Sequence, residues 1–175
     1  MLKLASLVSV SLLFANYALA ETAASFLKFQ LQVDRYGPLI IGMTPKVASA
    51  KLGVRLLPAS EPDKEEQSCY YVYPNGKFDD IGFMVQRGQI TRIDIYSKAI
   101  PSIGSIRIGD SEDAIKRAFP VKVQEKIHPY IGADGKYIII ETKPGYAFVY
   151  ETDRGKITRF RSGKFSSVQY IEGCL

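Results

Sequence analysis

Arg87-Gly88-Gln89-Ile90-Thr91-Arg92-Ile93 returns later in the chain as Arg154-Gly155-Lys156-Ile157-Thr158-Arg159-Phe160, at an offset of 67 residues. Sliding the whole sequence by the same offset also places Ile41-Gly42 on Ile108-Gly109 without a gap. Agreement at several distant places indicates an internal repeat. The sequence therefore predicts two modules, over residues 37–97 and 104–164.

Each module is predicted to begin with a short helix and to continue with three strands. In the first module, Thr44 suits an N-cap, Pro45 the first helical position and Gly53 the residue after the helix end. Turn residues separate the strand-like runs that follow. With a last strand at about 166–171, the predicted fold class is α+β. It consists of two tandem helix-plus-three-strand repeats that form an antiparallel sheet with the helices packed on one face.

The first twenty residues have the parts of an export signal. Lys3 provides the positive start, residues 4–14 an apolar run, and Ala18 and Ala20 the small-residue cleavage site before Glu21. A membrane-spanning helix needs about 20 apolar residues, so a cleaved signal is favoured over an uncleaved anchor. We expect residues 21–175 to form one domain that is soluble in the periplasm or secreted.

Cys69 and Cys174 are the two cysteines of the chain. In an oxidising compartment such an isolated pair is most simply a disulfide. The alternative, a reactive thiol, lacks a readable basic setting around either residue. A bond between them would join the end of the chain to its first half.

Charge narrows the classes of partner. The chain carries 23 Lys and Arg against 18 Asp and Glu, and neither a dense basic stripe nor a nucleic-acid-binding module is present, so nucleic acid is excluded. The mild positive balance fits a soluble protein with some attraction to anionic surfaces, which includes a position next to a membrane.

A family resemblance adds to this interpretation. The stretch Ile41-Gly42-Met43-Thr44-Pro45-Lys46-Val47, with Leu52-Gly53, resembles the opening motif of SmpA/OmlA-type outer-membrane assembly proteins. Two such modules in an exported chain resemble the beta-lactamase inhibitory protein architecture. The chain departs from these families, because it has Glu21 where the lipoproteins have an acylated Cys and one cysteine per half rather than one disulfide per repeat. The resemblance implies a helix-plus-meander fold that binds other proteins of the cell envelope.

Groups suited to catalysis are few. His128 is the single histidine, so a histidine-based metal cluster is excluded and any catalytic triad depends on this residue. It precedes Pro129 in a predicted loop, where a surface or structural role is expected. No calcium loop or phosphate-binding glycine motif is present, and we expect no cofactor and no metal.

Three arginines are candidate contact residues. If Arg87-Gly88 and Arg154-Gly155 close three-residue hairpins, then Arg92, Arg159 and Arg161 point away from the core side of the sheet. Two-residue turns would reverse this parity. An outward Arg-bearing sheet surface is either a solvated face or a docking surface, since arginine is enriched at protein interfaces.

The leading hypothesis is a non-enzymatic periplasmic protein-binding module, either an envelope-assembly factor or an enzyme inhibitor, that acts through this exposed sheet face. One alternative is a carrier of a small molecule or glycan with a cleft between the repeats, which a deep apolar cavity would favour. Another is a hydrolase that uses His128 with a nearby carboxylate.

Overall fold

The structure, a computed structural model, describes residues 27–60, 68–77, 79–120 and 123–174. The predicted signal peptide, with Ala18 and Ala20, lies outside these residues. Within them, the chain forms ten strands and three short α-helices. The strands are β1 (Arg35–Tyr36), β2 (Leu39–Ile40), β3 (Leu56–Leu57), β4 (Cys69–Pro74), β5 (Ile81–Gln86), β6 (Gln89–Ile95), β7 (Gln124–His128), β8 (Gly132–Lys143), β9 (Tyr146–Asp153) and β10 (Lys156–Lys164), and the helices are α1 (Pro45–Leu52), α2 (Glu112–Ala118) and α3 (Phe165–Val168).

Eight of these strands form one antiparallel sheet in the order β3-β4-β5-β6-β10-β9-β8-β7, and β1 pairs with β2 in a small second sheet. Hairpins link most neighbouring strands along the chain. The centre of the large sheet is different, because β6 and β10 are distant in sequence and pair there with Asp94 opposite Arg161.

The two faces of the large sheet differ in composition. The core face carries a continuous apolar cluster, which includes Phe83, Ile93, Phe148 and Phe160 and is covered by α1 and α2 through Ala48 and Ile115. The polar face carries buried charged groups and a smaller apolar cluster, which α3 covers through Val168.

Helix α1 begins and ends where the sequence predicts. The Val47 N–H donates to the Thr44 side-chain oxygen at 3.3 Å, Pro45 is the first helical residue, and Gly53 ends the helix with a φ of 69°. Eight residues are too few for a stable isolated helix. The burial of Ala48 against the sheet therefore holds α1 in place.

The predicted fold class is wrong. The structure is mostly β, and among the described residues the helices are three and short rather than a helical layer. The large sheet gains β3 and β7 beyond three strands per repeat, and α3 packs on the face opposite α1 and α2. The expected strand at about 166–171 is replaced by α3 and an irregular segment.

The predicted disulfide is confirmed. Cys69 and Cys174 are bonded, with their Cα atoms 5.4 Å apart and a sequence separation of 105. The bond fastens residues 165–174, which we call the strap, across the polar face to β4. In the described part of the chain, no helix has the length and apolar character needed to cross a membrane.

Candidate functional site

Charged groups are concentrated on the polar face of the sheet. Strand register places Arg92 and Asp94 of β6, Arg159 and Arg161 of β10 and Glu151 of β9 on this face. All of them except Arg159 are buried. Buried charges are tolerated when they are paired and hydrogen-bonded, and the five groups form two such centres.

The first centre, called the Asp94 centre, is a closed one-to-one pair. The Arg92 Nε lies 2.9 Å from both Asp94 carboxylate oxygens, and its Nη2 donates to Oδ1 at 2.6 Å. The Tyr71 hydroxyl donates to Asp94 Oδ2 at 3.2 Å. The remaining Nη1 of Arg92 donates to backbone carbonyls of the strap, at 2.5 Å to Tyr170 and 3.3 Å to Ser167.

The second centre, called the Glu151 centre, has two arginines and one histidine around one carboxylate. Arg161 Nη1 donates to Glu151 Oε1, Arg159 Nε lies 3.0 Å from Oε2, and His128 Nε2 lies 3.6 Å from the same oxygen. Arg161 also donates from Nε to the Val168 carbonyl of the strap at 2.8 Å. Its guanidinium carbon lies 5.3 Å from the centre of the Tyr137 ring, within cation–π range.

His128 is placed differently from the sequence prediction. It is the last residue of β7 rather than a loop residue, and it is buried, with its ring stacked 4.6 Å from that of Tyr137. Its Nδ1 accepts the Tyr130 N–H at 3.2 Å. A neutral ring with this acceptor carries its proton on Nε2, which faces Glu151. His128 therefore lies beside a carboxylate, as the hydrolase alternative requires, and that alternative stays a prediction.

The arginines lie on the predicted face, although the reason given for it is wrong. The turn at Arg87-Gly88 has two residues, both with positive φ, and the residues on either side of it, Gln86 and Gln89, pair with each other. A β-bulge at Thr91 inserts one residue into β6 and restores the parity that a two-residue turn reverses. Thr158 does the same in β10. Of the three predicted contact residues, Arg92 and Arg161 are buried, and Arg159 is 54% exposed in its side chain.

Tyrosines continue the polar face beyond the strap. Tyr73 and Tyr96 are partly exposed, and both rings lie close to Gly82. A methyl group at Gly82 would lie 2.9 Å from the Tyr73 ring and 3.3 Å from the Tyr96 ring, so the glycine leaves the room that these rings fill. Register places Arg159 beside Tyr96 across β6 and β10. We call Tyr73, Tyr96 and Arg159 the Tyr–Arg strip.

Burial and the Asp94 charge keep the tyrosine hydroxyls protonated. Burial, with the Asp94 carboxylate as the second cause, raises the pKa of Tyr73 to about 12 and also raises the pKa values of Tyr71 and Tyr96. Burial lowers the pKa of Arg92, but the charge and hydrogen bonds of Asp94 outweigh it and hold the pKa above its ordinary value. At neutral pH the strip therefore carries protonated tyrosine hydroxyls and a cation.

An open groove of about 930 Å³ runs beside the strap. Its lining includes Gln86, Arg87, Tyr130 and Tyr170, together with the Cys69–Cys174 bond. The lining is more polar than apolar, unlike the deep apolar cavity that would favour a carrier of small molecules or glycans. Among the described residues, no cluster of three potential metal-binding side chains occurs.

Sequence reasoning missed several residues of the polar face. Asp94, Glu151 and the tyrosines were not singled out, although Tyr71 and Tyr73 alternate along one strand and so share a face. This spacing is a usable signal for an aromatic sheet surface. The pairing of Glu151 with His128, by contrast, depends on contacts between distant segments that no local pattern encodes.

Comparison with known proteins gives similarity in fold alone. No family model and no curated protein matches the chain. Similar solved structures include an extracellular protein containing an SCP domain from Bacillus anthracis strain Ames, at 12% identity and a TM-score of 0.49 over 79% of this chain. The chain spans 50% of that protein. They also include the uncharacterized protein YfeY from Escherichia coli, at 13% identity and a TM-score of 0.50, with 77% of this chain and 99% of YfeY covered. The likeness to YfeY concerns the fold and assigns no function.

Proposed function

We propose that the chain is an exported, non-enzymatic protein-binding module that docks a partner of the cell envelope or the secreted space on its polar face. The observation that carries the proposal is the Tyr–Arg strip, in which Tyr73, Tyr96 and Arg159 lie together on one open part of the sheet. Tyrosine and arginine are among the residues most enriched at the energetic centres of protein interfaces.

The surroundings of the strip support a docking role. Gly82 keeps its centre flat, because the rings rest on the backbone rather than on a side chain. The buried Asp94 and Glu151 centres support the strip from below. Arg159 is bound to Glu151, and Tyr71, which is bound to Asp94, stacks on the Tyr73 ring. A partner therefore meets pre-ordered side chains, which lowers the entropy lost on binding.

Export is part of the same proposal. The Cys69–Cys174 bond is typical of proteins in oxidising compartments. The signal-like residues 1–20 and the periplasmic or secreted location remain expectations from the sequence. Mass spectrometry of the protein recovered outside the cytoplasm, with Glu21 as its first residue, tests them.

Site-specific photo-crosslinking in the native host tests the docking surface. A photoreactive residue at position 96 should give a discrete protein adduct, and the same residue at Val47, which is exposed on α1 away from the polar face, should not. Arg159→Ala should weaken the adduct, and Lys156→Ala, the matched change of an exposed cation on the same strand, should leave it intact. Equal adducts from positions 96 and 47, or none from position 96, would contradict the proposal.

A further inference from the structure

Apart from the disulfide, the strap is held on the polar face by one buried apolar side chain and by hydrogen bonds, which include Ser167 Oγ to Gln86 Oε1 and the Phe165 N–H to the Gly145 carbonyl, each at 2.8 Å. Val168 is its buried apolar side chain, whereas Phe165, Tyr170 and Ile171 are exposed. Ordering each residue of such a segment opposes its docking through lost backbone freedom. A terminal segment with this little buried apolar surface opens easily unless its far end is fastened.

The polar contacts of the strap can be exchanged for water. Arg92 and Arg161 bind it through backbone carbonyls of Ser167, Val168 and Tyr170. Both arginines keep their carboxylate partners when the strap leaves, so opening of the strap leaves no buried charge without a partner. The disulfide at Cys174 is the covalent attachment of the strap to β4.

The disulfide is open to chemical attack. Both cysteines line the groove of about 930 Å³ beside the strap. A dithiol reductant can reach them there. Its thiolate attacks one sulfur, its second thiol resolves the mixed disulfide, and transfer of two electrons and two protons leaves two cysteine thiols and an oxidised, cyclic reductant.

Opening of the strap would uncover new surface. Beneath α3 lies an apolar cluster of Tyr137, Ile139, Ala147 and Val149. This cluster flanks Arg161, whose neighbour on the same carboxylate is Arg159 of the Tyr–Arg strip. Contiguous exposed apolar surface of this kind marks interaction sites.

We propose that Cys69–Cys174 is a redox latch: reduction by a dithiol releases the strap and uncovers the apolar cluster beneath it. This release is a property of the chain alone and does not rest on the proposed function.

Hydrogen exchange measured by mass spectrometry on the mature protein, without any partner, tests the latch. After treatment with dithiothreitol, amides of residues 165–174 should exchange at least about tenfold faster, as expected for local opening. Exchange in β5, β6, β9 and β10 should not change. Iodoacetamide labelling of both cysteines verifies that reduction has occurred.

The double variant Cys69→Ser/Cys174→Ser provides the control. It should show the fast exchange of the strap without reductant, and added dithiothreitol should change nothing further. Unchanged strap protection in the fully reduced protein would overturn the latch, because the polar contacts would then suffice. An equal rise in exchange across strap and sheet would also overturn it, since the bond would then hold the whole fold.

Discussion

The Asp94 centre and the Glu151 centre lie side by side on the polar face but are built differently. At the first, one carboxylate faces one guanidinium, and both are buried beneath the strap. At the second, one carboxylate is shared by Arg161, Arg159 and His128, and Arg159 reaches solvent. The balanced pair serves the stability of the fold, whereas the shared carboxylate can lose a partner and still be paired. Only the second arrangement can present charge to another molecule.

The largest effect is expected at the balanced pair. Arg92→Met leaves Asp94 buried without its cation, and removal of one partner of a buried ion pair costs about 3–5 kcal/mol. Urea denaturation at pH 7 measures the loss in the free energy of unfolding. A loss below about 1 kcal/mol, the usual value of an exposed pair, would break the comparison.

Arg161→Met is expected to cost less, about 1.5–3 kcal/mol, the range for hydrogen bonds to charged groups, because Arg159 remains 3.0 Å from Glu151. The same denaturation experiment ranks the two variants. The double variant Arg159→Ala/Arg161→Met should lose more than the two single changes together, since Glu151 is then buried without an arginine. An additive result would mean that the two arginines do not substitute for each other.

Some features of the polar face could be predicted from the sequence. Cys69 and Cys174 were predictable because an isolated pair in an exported chain has one simple use. The outward direction of Arg92 and Arg161 was predictable from strand parity, but the prediction depended on a turn with the wrong length. The bulges at Thr91 and Thr158 produced the same outcome.

Burial of the two arginines was not predictable. It depends on the strap, and the sequence suggested a strand at 166–171 where α3 and an irregular segment occur. The Glu151 centre depends on β7, β9 and β10 meeting in one sheet, because His128, Glu151 and Arg161 have no common local pattern. Long-range pairing, rather than local propensity, determines which charges are buried.

Arg159→Ala should have a small effect on stability, less than about 1 kcal/mol, because exposed ion pairs contribute little. Its expected consequence is loss of partner binding instead. Thermal unfolding of Arg159→Ala and of Lys156→Ala measures the effect of each change on stability, and the crosslinking experiment measures the effect on partner binding. A large drop in melting temperature for Arg159→Ala alone would place this residue with the structural pair rather than with the docking surface.

Glu112 lies outside both centres, and its substitution is expected to change the stability of the protein least. Burial raises the pKa of Glu112, but hydrogen bonds from Thr152 at 2.8 Å and Lys136 at 3.0 Å outweigh it, so the pKa lies below its ordinary value. A carboxylate with a lowered pKa in the folded state stabilises the protein above its unfolded pKa. This stability is lost as the pH falls through the folded value.

The urea concentration at the unfolding midpoint, measured from pH 6 downward, should therefore decrease once the pH is below about 4.5. Glu112→Gln should reduce the slope of this midpoint against pH. Asp113→Asn, a change of an exposed carboxylate in the same helix turn, is the control and should leave the slope nearly unchanged. An equal slope in the wild-type protein and Glu112→Gln would show that this carboxylate is not stabilised by its contacts.

The strand order has a consequence for how fast the chain folds. Most neighbouring strands are joined by hairpins, and their pairing needs only local contacts. The central pairing of β6 with β10 is the exception, because Ile95 and Phe160 meet from distant parts of the sequence. Contacts of this kind slow folding, since the entropy of closing the intervening loop is lost before the pairing forms. We expect the joining of the two halves at this central seam to set the folding rate.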